Sequence, residues 1–124
     1  MTEPRVGRMG SFETTEAEEP YEGVTRRTFD AHRATVTQYT FVPGARFPLH
    51  RHPQEQVTVI EEGTVVFTVA GVSHELTAGD WSVVPGGVEH GMEAGAAGAR
   101  FLAVVVPRRT GAVPYVISSD GRAP

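Results

Sequence analysis

From Arg33 to Val106 the chain alternates apolar and polar residues in short runs rich in Val, Thr, Phe and Tyr. Period-2 alternation of such residues is the signature of half-buried strands. The runs are Arg33–Val42, Gln56–Ile60, Thr64–Val69, Val72–Thr77, Trp81–Val84, His90–Ala94 and Arg100–Val106. Gly and Pro punctuate them: Pro43-Gly44, Glu62-Gly63, Ala70-Gly71, Ala78-Gly79-Asp80, Pro85-Gly86-Gly87 and Gly95–Gly98. Glu61-Glu62-Gly63 and Ala70-Gly71 are short enough for hairpin turns. No segment keeps a helical period, so the expectation is an all-β sandwich, jelly roll or barrel.

The ends read differently. Residues 1–20 are polar and acidic, with Glu13, Glu16, Glu18 and Glu19 close together ahead of Pro20. An extended N-terminal arm is expected there, of a kind that can pair with a neighbouring subunit. Residues 21–117 are expected to form the β-barrel domain and residues 118–124 a frayed C-terminal tail.

Length, 124 residues, suits one domain that can bury a core without disulfides. Cysteine is absent, which removes disulfides, zinc–thiolate sites and cysteine nucleophiles from consideration. Lysine is absent too, so Schiff-base chemistry is excluded and all 11 basic residues are arginine. A net charge of −4 argues against a nucleic-acid partner. No apolar run approaches the ~20 residues of a membrane span, and the N-terminus lacks the apolar core of a signal peptide. A cytoplasmic protein is expected. No phosphate-cradling glycine loop precedes a helix, and no serine stands in a nucleophile elbow.

The candidate chemistry lies in the histidines. Of the five, His32 and His74 have no partner at metal spacing and read as surface or strand histidines. His50 and His52 are separated by one residue, so on a strand both imidazoles face one side. Gln56 keeps that parity and Glu55 opposes it, pointing away unless a bulge intervenes. His90 follows the turn Pro85-Gly86-Gly87, which can return a strand beside the first. Three neutral imidazoles and one oxygen donor suit a divalent transition metal.

The arrangement resembles the cupin family. Gly44, His50, His52, Gln56 and Gly63 stand at the spacing of its first motif, which usually has glutamate where Gln56 sits. Gly79, Pro85, Gly87 and His90 match the second motif, whose usual asparagine is Ala94 here. The resemblance implies a double-stranded β-helix, a jelly-roll barrel, holding one Fe, Zn, Ni or Mn ion through His50, His52, Gln56 and His90, with Glu55 as the alternative fourth ligand. It also implies a homodimer formed through an outer sheet face. Val57, Val59 and alternate residues of Ala103–Val106 are the candidates for that face. The arrangement His52-Pro53-Gln54-Glu55-Gln56 is similar to that of cupins that open unsaturated uronate sugars, and polyketide cyclisation fits the same architecture.

An amide in place of the usual carboxylate leaves a bound ion its full charge, which favours an anionic ligand and Lewis-acid action. The expected function is therefore a metal-dependent isomerase, cyclase or lyase acting on a small oxygen-rich molecule bearing a carbonyl, enol or carboxylate. A dioxygenase and a non-catalytic ligand-binding module are the alternatives. Thr58, Met92, Tyr39 and Phe41 are candidate pocket residues, and Tyr39 and Arg46 candidate catalytic ones. The glycines at 44, 63, 79 and 87 are expected in turns with unusual backbone angles.

Overall fold

A computed structural model describes residues 7–109 and, for the backbone, 116–117. The tail expected at 118–124 and the first six residues lie outside the described residues.

Among the described residues, nine strands follow a 3-10 turn at Phe12–Thr14: β1 (Ala17–Tyr21), β2 (Val24–Asp30), β3 (Thr35–Phe41), β4 (Arg46–Arg51), β5 (Glu55–Val69), β6 (Val72–Thr77), β7 (Trp81–Val84), β8 (His90–Val106) and β9 (Val116–Ile117). They pair antiparallel in the order β1-β2-β3-β8-β4-β9, while β5 pairs with β6, β7 and β8. The all-β expectation holds. Ala17–Tyr21, within the expected arm, pairs with β2 of its own chain.

Two long strands organise the fold. The C-terminal part of β8 runs between β3 and the start of β5, and its N-terminal part between β4 and the end of β5. Each long strand therefore serves both halves of the barrel. The sequence reading split each into two runs, with a hairpin turn at Glu61-Glu62-Gly63. That turn does not form. The register of β5 against β8 shifts between Ile60 and Glu62 and again between Gly63 and Val65, so the punctuation bends a continuous strand. Gly63 takes φ +77, and a Cβ on it would lie 2.0 Å from the Gly98 carbonyl oxygen. Only glycine allows the two strands to approach so closely there. Ala70-Gly71 does turn a hairpin, joining β5 to β6 with both residues at positive φ. Gly44, Gly79 and Gly87 also take positive φ.

Inward positions form the core: Tyr39 and Phe41 from β3, Phe47 from β4, Ile60, Val65 and Phe67 from β5, Phe101, Ala103 and Val105 from β8. The Tyr39 ring stacks on Phe101 at 5.1 Å between centroids and meets Phe47 edge-on at 5.9 Å. Such pairs each add about 1 kcal/mol beyond the area they bury. On the outside, Trp81 and Val83 of β7 lie beside Val59 and Val57 of β5, which lie beside Leu102 and Val104 of β8. Trp81 is 68 % exposed, and this apolar strip crosses three strands.

Candidate metal centre

Two turns bring the histidines together. β4 ends at Arg51, and the chain bends at Pro53-Gln54 before β5 begins. The turn at Pro85–Val88 packs directly onto that bend: Gly87 N–H donates to the His52 carbonyl at 2.8 Å. A Cβ on Gly86 would stand 2.2 Å from the Pro53 carbonyl oxygen, so this contact requires glycine. His90 then opens β8 directly opposite His50 of β4. Gln56 reaches the same point from β5, whose buried positions alternate Gln56, Thr58, Ile60. Parity with His52 is not the reason, because a turn separates them. The inward face of β5 is.

His50, His52 and His90 are all buried, and their ligand atoms lie within 4.8 Å of one another. Each Nδ1 faces a backbone carbonyl: Pro48 at 2.8 Å for His50, Gln54 at 3.0 Å for His52, Val88 at 2.9 Å for His90. Each Nδ1–H donates to that oxygen, which leaves Nε2 as a bare lone pair. Gln56 is held from behind, its Nε2 donating to Thr58 Oγ1 at 3.0 Å. Its Oε1 therefore faces inward, 3.1 Å from His52 Nε2 and 3.3 Å from His90 Nε2. Those three atoms are all acceptors, with no proton between them. Acceptors crowded at hydrogen-bond distance in a buried site repel one another, and a cation placed among them satisfies all of them at once. The three-histidine group can hold a metal, and the donor set, imidazole nitrogen and amide oxygen, suits a first-row divalent ion.

The electrostatics agree. Burial, with the neighbouring His90, lowers the His50 pKa from 6.5 to about 3. Burial lowers that of His90 to about 4, and that of His52 also falls for the same first cause. Arg109 pushes all three the same way through its charge. The imidazoles are therefore neutral at physiological pH and need lose no proton to bind a metal.

A cavity opens beside the cluster. Tyr39, Phe41 and Met92, expected in a pocket, lie on its wall with His50, Gln56 and His90. Thr58, also expected there, is not on the wall. It is fully buried behind Gln56, and its hydroxyl orients that amide. Arg46 does not reach the cavity: it is exposed on the outer face of β4, 3.6 Å from Glu93. Glu55 is exposed and points away, as parity requires. His32 and His74 are exposed.

The sequence reading missed Phe47, Phe67, Phe101 and Arg109, all on the wall. Phe67 and Phe101 are inward by alternation on their strands. Phe47 shares a side with His50 despite opposite parity, because the β4–β8 register shifts between them. Arg109 lies beyond the last recognised run, where no periodic pattern marks it.

The model of the family described as Cupin domain matches residues 37–105. Over 61 residues the chain is 41 % identical to dimethylsulfoniopropionate lyase DddW of Ruegeria pomeroyi. That match takes in 49 % of this chain but only 40 % of the relative, so the chain covers less than half of that protein. An RmlC-like cupin from Shewanella frigidimarina superposes with TM-score 0.77 at 30 % identity, over 84 % of this chain and 94 % of that one. KdgF from Halomonas sp. gives TM-score 0.73 at 23 % identity over 82 % and 96 %. Oxalate decarboxylase from Bacillus subtilis gives 0.81 at 22 % over 95 % and 34 %; both of these last likenesses concern the fold alone.

Proposed function

Because this chain belongs to the cupin domain family, we propose that it is a metal-dependent enzyme performing redox-neutral chemistry, lyase chemistry foremost, on a small carboxylate or carbonyl compound. The observation that carries this reading is the cluster of inward-facing acceptors, His52 Nε2, His90 Nε2 and Gln56 Oε1, in a buried site beside a cavity. His50, His52, Gln56 and His90 are the proposed ligands of one Fe, Zn, Ni or Mn ion. An ion held there supplies Lewis-acid polarisation of a substrate oxygen. All four ligands are neutral, so the ion's charge is undiminished by the protein and acts on the substrate.

The chain's own residues supply the rest. Tyr39, Phe47, Phe67 and Phe101 give the cavity aromatic walls that exclude water and hold an apolar or onium tail. Tyr39 is the phenol on that wall and the candidate for moving a proton. Arg26 faces it across the β2–β3 ladder. The similarity to a lyase at 41 % identity favours elimination over isomerisation. The outer strip around Trp81 supports a homodimer as the assembly.

The test is turnover by the metal-loaded protein on a panel containing dimethylsulfoniopropionate, an unsaturated uronate and oxalate, with dissolved oxygen recorded. Product formed with no oxygen consumed supports the proposal. Oxygen consumed in step with substrate replaces it by the dioxygenase reading. Ligand binding with no turnover on any compound points to a non-catalytic module.

A further inference from the structure

Arg109 is the one charged side chain on the cavity wall among the described residues; no acidic group faces the cavity there. It follows the end of β8, and its backbone is fixed where it leaves the barrel: Arg109 N–H donates to Thr35 Oγ1 at 2.9 Å. Thr35 is itself buried, and its hydroxyl donates to Asp30 Oδ1 at 2.6 Å. The side chain turns back into the barrel, close enough for its charge to act on His50, His52 and His90. Its Nε is fully buried and has no hydrogen-bond partner among the described residues.

A guanidinium with a desolvated N–H and, among the described residues, no counter-charge is a costly arrangement. It is also the geometry that an arriving carboxylate satisfies, since the fork of N–H donors matches two carboxylate oxygens. A cation in the histidine cluster would add to the positive potential on the same side of the cavity. An anion between the two is the complement of both.

We infer that Arg109 is the carboxylate anchor of this cavity, and that the ligand it selects is a small organic acid in its anionic form. This rests on the cavity being the substrate site of the proposed enzyme, and it makes Arg109 a specificity-determining residue rather than a metal ligand. The acid carries its carboxylate at one end, towards Arg109, and its less polar end against the aromatic wall.

The experiment is an NMR titration of the full chain, both metal-free and zinc-loaded, with propionate and with its neutral isostere propionamide. Metal-free wild-type protein binds propionate more tightly than propionamide. R109Q and R109M each lose propionate binding by about tenfold or more while propionamide is unaffected. R109K falls between, because it keeps the charge and loses the fork. Two neutral variants are used so that a folded one, checked by its thermal melt, gives the reading. Propionate bound equally by wild type and either folded neutral variant overturns the inference, as does a wild type that binds neither probe or prefers the amide. A parallel loss of both probes also overturns it, since that marks a structural role. Failure of the enzyme proposal reads out separately, as absent metal uptake or turnover, while the metal-free titration is unaffected by it.

Discussion

Acid should unfold the metal-free protein through its buried histidines, and the size of the effect follows from the site. An unfolded histidine titrates near 6.5. In the fold, burial holds His50 at about 3 and His90 at about 4. Above the unfolded value both states carry neutral imidazoles, and the histidines do not tilt the balance. Below it the unfolded chain takes up protons that the folded chain refuses, so stability falls as pH drops from 6.5 towards 4. At about pH 5 the gap is roughly 1.5 units for each, which at 1.36 kcal/mol per unit is about 2 kcal/mol per histidine. The two together cost on the order of 4 kcal/mol, a large share of the 5–15 kcal/mol that holds a typical domain together. The assay is urea unfolding of chelator-treated protein at pH 7.5 and pH 5, for wild type and for H50Q/H90Q. Wild type loses several kcal/mol between the two conditions, and the double variant loses much less. Equal losses in the two proteins would refute the reasoning, since the acid sensitivity would then lie elsewhere.

Gly86→Ala destabilises the fold by about 1–3 kcal/mol, because the added carbon strikes the Pro53 carbonyl and pries apart the turns that position His52 and His90; chemical denaturation reads the loss and metal titration the loosened site. Thr58→Val frees the Gln56 amide and weakens metal binding by about 10–100-fold at nearly constant volume, read by competition with a chromophoric chelator. Gln56→Glu adds a charged ligand, tightens metal binding by the same assay, and lowers the affinity of the metal-loaded protein for anions. If the strip around Trp81 is the dimer face, sedimentation equilibrium finds wild type at twice the chain mass and W81E/V83R at one chain mass.

The fold was legible because alternation and punctuation survive in the strands themselves. The cluster was legible because His50, His52 and His90 sit at spacings that two turns convert into proximity. Alternation could not show that Gly63 bends a strand instead of ending it. That depends on Gly98 lying 2.0 Å from where its Cβ would stand, a contact between distant parts of the chain. β4 went unrecognised as a run because Pro48 interrupts it and its register shifts beside that proline. The same shift hid Phe47. β1 and β2 lack apolar alternation: Arg26 and Arg27 occupy the middle of β2, where Arg26 Nε donates to Glu18 and Arg27 to the Phe12 and Thr15 carbonyls. Arg109 had no local signal at all, since only the tertiary fold returns it to the cavity.

The central claim, that His50, His52, Gln56 and His90 hold one divalent metal, is tested most directly by plasma mass spectrometry of the untagged protein before and after titration with iron, manganese, nickel and zinc. The expected result is about one ion per chain, lost in H50A/H52A while that variant stays folded. A wild type that arrives empty and takes up none of the four metals contradicts it.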